Sequence, residues 1–124
     1  MVEIEVANRS GAQLDVPAAT ALIREVLAAE GIRDGELGLQ LVGPGEIRTL
    51  KRDHLGVDEE TDALAFPIDG RDPVPEGVPR QLGDVVMCPE VVGDAWRAPI
   101  VHAVLHLVGY DHGVEMEARE RAHA

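Results

Sequence analysis

The chain has 124 residues, of which 23 are acidic and 11 basic, giving a formal net charge of −12. That length supplies one core, burying roughly two-thirds of the unfolded chain's surface, and leaves nothing for a second domain. The charge argues against a protein that wraps duplex DNA unaided, because such binding rests on many Lys and Arg neutralising phosphates, but it leaves room for a local nucleic-acid site. Phe66, Trp96 and Tyr110 are the only aromatics, so aliphatic side chains must carry the core. A single cysteine, Cys88, cannot form an internal disulfide, which fits a reducing cytoplasm. Glu3 and Glu5 stand where a secretory leader needs basic and apolar residues, and the least polar stretch, 98–108, is too short to span a bilayer. The expectation is a cytoplasmic protein with no membrane segment.

In chain order, residues 2–6 (VEIEV) alternate apolar and acidic, which predicts a strand with one face on a core. Pro17 suits a first helical residue, and Ala21, Leu22, Val26 and Leu27 follow at helical spacing until Gly31, so 17–30 is predicted as an amphipathic helix. Residues 36–42 (ELGLQLV) alternate again and end at Gly43-Pro44-Gly45. Ile47 and Leu50 suit a short helix over 46–54, and the acidic stretch 56–60 reads as a loop. Short strands are expected at 61–66 and 84–88, separated by a loop over 68–81 that holds Pro73, Pro75, Gly77 and Pro79. A helix over 98–108 stops at Gly109, and a charged helical tail covers 114–123. A helical crossover between the first two strands favours a parallel pair, and the last two suit a hairpin. The fold class expected is α+β, a mixed four-stranded sheet packed with helices, as one domain over residues 1–124.

The chemistry is concentrated in HAVLHLVGYDH, residues 102–112. His102 and His106 are four apart, so on a helix both imidazoles can address one point. Gly109 tolerates positive φ, which lets the chain turn back and bring in His112. Three protein ligands with one position left to water is the arrangement of a catalytic zinc site. The spacing coincides with the zinc-protease signature H-E-x-x-H-x-x-G-x-x-H, but Ala103 occupies the place of its general-base glutamate. The pattern points to a metal site with different chemistry. A lone histidine on an apolar helix is usually a core residue bonded to a carbonyl, and His54 and His123 are read in that plain way, as a loop and a tail residue. Cys88 is read as a small buried hydrophobe at a strand end.

This run resembles the zinc-binding signature of the YbeY family of bacterial endoribonucleases, H-G-x-L-H-L-x-G-Y-D-H. LGDVVMCPEVV, residues 82–92, resembles the family's LGDI-type strand and turn. LKRDHLGVDEETDALAFP, residues 50–67, resembles its L-N-x-x-y-R-G-k-d-x-x-T-D-V-L-S-F-P segment. The resemblance implies one Zn2+ held by His102, His106 and His112, and a cleft between that helix and the 61–67 strand. It also implies cleavage of single-stranded RNA in ribosomal RNA maturation and quality control, and association with the small ribosomal subunit. Asp111 and Tyr110 are the candidates for proton transfer, and Arg52, Thr61 and Asp62 for contacting the substrate.

The chain also departs from that pattern. The family's arginine falls on Leu55, basic positions beside it become Val57 and Glu59, and the serine of L-S-F-P becomes Ala65. Each lost cation removes charge-assisted bonding to phosphate. Lys51, Arg52, Arg71, Arg80 and Arg97 are the candidates to compensate. Two other readings follow from these departures: a non-catalytic ribosome-associated module stapled by zinc, and a zinc hydrolase of another substrate class.

Overall fold

The computed structural model describes residues 1–55, 63–111 and 113–124. The predicted loop at 56–60, Thr61, Asp62, His112 and the side chain of Leu55 lie outside the described residues. Along the chain run β1 (Val2–Asn8), α1 (Val16–Ala29), β2 (Gly35–Leu41), α2 (Pro44–Leu55), β3 (Ala63–Pro67), β4 (Gln81–Met87), α3 (Pro89–Val92), α4 (Arg97–Leu107) and α5 (Val114–Ala122).

The strands form one sheet in the order β1-β2-β4-β3. β1 pairs parallel with β2, β2 parallel with β4, and β3 antiparallel with β4. This is the mixed four-stranded sheet that the alternating patterns predict. The α1 crossover makes β1 and β2 parallel, and the return through the loop at 68–80 makes β3 and β4 antiparallel.

Each element forms for a local reason. The Asp15 carboxylate accepts a hydrogen bond from the Ala18 amide at 3.1 Å, capping α1, whose first turn contains Pro17. Ala19, Leu22, Ile23, Val26 and Leu27 then form the buried stripe of α1. Leu37, Leu39 and Leu41 of β2 face the same core, with Val85 and Met87 of β4. Each fully buried Leu or Ile here contributes about 2 kcal/mol through burial. A smaller cluster lies under α2, where Ile47 and Leu50 meet Leu64, Phe66, Val86, Val42 and Cys88. The expectation for Cys88 holds: it is fully buried at the end of β4.

Most boundaries shift by one or two residues, and two differences are larger. β4 begins at Gln81 rather than residue 84, because a bulge between Gln81 and Gly83 interrupts the strand just after the predicted loop. Glu36 pairs with Gln81 and Leu37 with Gly83, so Leu82 is the extra residue. Gly83 has φ +120°, and a Cβ there would lie 2.1 Å from the Phe66 carbonyl oxygen. Gly83→Ala is therefore expected to destabilise the fold by about 3 kcal/mol, combining backbone strain with a backbone clash, as read by the urea midpoint. An unchanged midpoint would show that the bulge relaxes freely. The second difference is α3, a single turn after Cys88 whose four residues carry no periodic signal.

α4 is the element that positions the histidines. From Ile100 to Val108 every side chain is buried except His102 and His106. Burial on all other sides gives the helix one rotational setting, in which these two imidazoles share the remaining accessible edge. Among the described residues no helix is long and apolar enough to cross a membrane.

Candidate metal and catalytic site

α4 ends in a Schellman turn. The Gly109 amide donates to the His106 carbonyl at 3.1 Å and the Tyr110 amide to the Leu105 carbonyl at 3.1 Å. Gly109 carries the φ of +102° that this turn needs. The turn folds Tyr110 back over the last helical turn, so that its carbonyl oxygen lies 2.9 Å from His106 Nδ1. His102 Nδ1 lies 3.2 Å from Glu120 Oε2 on α5. A backbone carbonyl and a carboxylate only accept, so both imidazoles are assigned a proton on Nδ1 and a lone pair on Nε2.

The two Nε2 atoms stand 3.2 Å apart, with ring centroids at 4.7 Å and ring planes at 83°. Two nitrogens bound to one tetrahedral zinc stand roughly 3.3 Å apart. Converging lone pairs, each backed by an oxygen acceptor on the outer nitrogen, are what a metal-ligating histidine pair requires. The residues present thus fit a zinc ion. Groups of three or more candidate ligands are absent among the described residues, where only two of the three predicted histidines fall.

Beside His106 lies a cleft of about 930 Å³, lined by Pro67 to Asp72, His106 to Asp111 and Gly113 to Glu115. α4 packs on β3, and Pro67, the last residue of β3, is part of this cleft's wall; Thr61 and Asp62 at the start of the expected 61–67 strand lie outside the described residues. Arg71 is on the wall together with Asp69, Asp72, Asp111 and Glu115, so the rim is acidic on balance.

Of the sequence candidates, Asp111 is exposed on the cleft wall. Tyr110 points its hydroxyl away to donate to Glu30 Oε1 at 2.8 Å. That bond from the hydroxyl to the carboxylate, with burial, pushes the Tyr110 phenol above its ordinary range. Arg52 is on the exposed side of α2, 3.3 Å from Asp53. Thr61, Asp62 and His112 lie outside the described residues. Among the possible compensating cations, Arg71 reaches the cleft. Arg80 instead ties the loop by donating to the Gly70 and Asp72 carbonyls at 2.7 and 2.8 Å, and Arg97 donates to the His123 carbonyl at 3.1 Å.

Two histidines read as incidental have defined places. His54 belongs to the last turn of α2 rather than a loop, with its ring edge-on to Phe66 at 5.2 Å. His123 is buried rather than a loose tail residue, and its Nε2 donates to Glu30 Oε2 at 3.0 Å. Glu30 itself was missed. It follows α1 as an apparently ordinary acidic residue before Gly31, and no local pattern distinguishes it. Its carboxylate is 3% exposed and also receives Arg119 Nε at 2.8 Å. Burial alone would push this carboxyl up, but hydrogen bonds from His123, Tyr110 and Arg119 outweigh it and hold the group below the usual carboxylate range.

Comparison with known proteins shows the family. The family model described as endoribonuclease YbeY matches residues 5–123. An endoribonuclease YbeY of Salinispora tropica is 37% identical, the alignment covering 96% of this chain and 88% of the relative. One of Halorhodospira halophila is 37% identical over 98% of this chain and 90% of its own length. The solution structure of a Thermotoga maritima protein superposes with a TM-score of 0.60 at 25% identity, covering 99% of this chain and 86% of that one. With a model match over nearly its whole length and relatives of this identity, the chain belongs to the endoribonuclease YbeY family.

Proposed function

We propose that this protein is a zinc-dependent endoribonuclease that cuts single-stranded RNA during ribosomal RNA maturation and ribosome quality control, in the cytoplasm and in association with the small ribosomal subunit. The observation that carries the metal part is the convergence of His102 and His106 Nε2 at 3.2 Å, with His106 on the wall of a cleft. Family membership supports the RNA part.

In this reading His102, His106 and His112 hold the ion. When bound, zinc supplies Lewis acidity toward a phosphoryl oxygen and toward water. Asp111 is within the cleft wall and is the proton carrier, while Tyr110 acts through its carbonyl on His106. Arg71 faces the RNA backbone from the cleft wall, with Arg52, Thr61 and Asp62 as further substrate contacts. Its guanidinium is already anchored by bonds to the Val108 and Glu30 carbonyls at 3.1 and 2.9 Å, so it offers charge from a fixed position.

The acidic rim favours a second reading, a zinc-stapled module that binds the ribosome without cutting RNA. Cleavage of unstructured RNA by wild type, His112→Ala and Leu55→Arg separates the two. Wild-type cleavage lost in His112→Ala supports the nuclease. Leu55→Arg, which restores a cation where the family keeps one, is expected to raise cleavage about tenfold, the worth of one good phosphate contact. Zinc-bound wild type that leaves RNA intact at high enzyme concentration would establish the module instead. Product ends add the mechanism: a 2′,3′-cyclic phosphate would exclude direct attack by water.

A further inference from the structure

We propose that Glu30 is a positioning residue for the histidine pair: its buried carboxylate fixes the two oxygen acceptors, the Tyr110 carbonyl and the Glu120 carboxylate, that aim His106 and His102. The proposal rests on the zinc reading for its purpose but not for its geometry.

Glu30 caps the far end of α1 and contributes no atom to the cleft lining given above. Its side chain nevertheless joins the turn after α4, α5 and the loop between β3 and β4. Tyr110, in the turn after α4, donates its hydroxyl at 2.8 Å. Arg119 of α5 donates Nε at 2.8 Å and Nη2 at 2.5 Å to Oε2, and His123, the cap of α5, donates to the same oxygen at 3.0 Å. Arg71 of the cleft wall approaches Oε1 at 3.5 Å and donates to the Glu30 carbonyl at 2.9 Å.

Two short paths lead from this hub to the imidazoles. Holding the Tyr110 ring sets the Tyr110 backbone, whose carbonyl oxygen takes the His106 Nδ1 proton. Holding Arg119 and His123 sets α5, on which the next residue after Arg119 is Glu120, the partner of His102 Nδ1. An acceptor that fixes Nδ1–H fixes both the tautomer and the ring plane, and therefore the direction of the Nε2 lone pair. A carboxylate is required at the hub because every group facing it donates. Glutamine would turn an NH2 toward one of these donors and would remove the charge that Arg119 meets.

The test compares wild type, Glu30→Gln, Tyr110→Phe and His106→Ala. Two quantities are read: Zn2+ affinity by competition with a chromophoric chelator, and histidine ring nitrogen–proton correlation spectra of the metal-free proteins. Wild type should show His106 as a single Nδ1–H tautomer. In Glu30→Gln and Tyr110→Phe the tautomers should mix, and Zn2+ affinity should fall about 10–100-fold, the range seen when support behind a ligand is removed. His106→Ala marks complete loss of the ligand. A merely structural Glu30 would lower stability and leave tautomer and affinity as in wild type, which overturns the proposal. If Glu30→Gln does not fold, Tyr110→Phe decides, since it keeps the carbonyl and removes only the hydroxyl. Should wild type take up no zinc, the zinc reading falls, and the tautomer comparison still decides the role of Glu30.

Discussion

His106→Ala is expected to remove bound zinc, about one ion per chain in the native protein, and to reduce RNA cleavage by more than the ~100-fold that losing a supporting hydrogen bond costs. His106 is the better of the two described histidines to remove. Its Nδ1 bond to the Tyr110 carbonyl lies within the same turn, which the Gly109 and Tyr110 amide bonds still close when the imidazole is removed. The variant should also stay folded, because the His106 side chain is only half-buried while its neighbours Leu105 and Leu107 are fully buried. Elemental analysis of wild type and variant is the direct check, with cleavage of unstructured RNA measured on the same preparations. Equal zinc in the two proteins would remove His106 from the site.

Replacing Glu30 by alanine acts on stability instead, with an expected loss of about 2–3 kcal/mol by chemical denaturation. Removing one partner of a buried ion pair costs about 3–5 kcal/mol. The figure is lower here because Arg119 and Arg71 are 35% and 47% exposed and can turn to water once released. The same carboxylate imposes a pH dependence. Its folded-state pKa lies below the ordinary value of 4.5, so the unfolded chain takes up a proton there more readily than the folded one. The stabilisation is complete above the ordinary value and is lost as pH falls through the folded one. Plotted from pH 7 to pH 3, the stability of wild type should therefore fall more steeply than that of Glu30→Gln below about pH 4.5. Parallel curves would mean that Glu30 is as easily protonated in the fold as in the unfolded chain.

Such an effect was not visible in the sequence, and the reason applies more widely. Alternation in β1 and β2, the apolar stripe of α1 and the glycine after α4 are local patterns, and local patterns report local geometry. They suffice for the α+β class, the parallel first pair, the antiparallel last pair and the placement of His102 and His106 on one helix edge. The motif in 102–112 also carries the resemblance to the family, and its helix and Schellman turn are formed by residues up to Tyr110.

What the tertiary structure alone decided is which oxygen atoms stand behind the imidazoles and which cations face the cleft. Glu30 and Tyr110 are 80 residues apart, and Glu30 and His123 are 93 apart. No periodicity links positions so distant; only the packing of α1 and α5 against α4 brings them together. The bulge at Gly83 was hidden for the same reason, since its requirement for glycine comes from the Phe66 carbonyl on the neighbouring strand. The net charge of −12 belongs to both levels. From the sequence it weakens the case for non-specific nucleic-acid binding, whereas the fold sets Arg71 on the cleft wall and buries Glu30 among donors, so charge at the site follows from distances that composition does not contain.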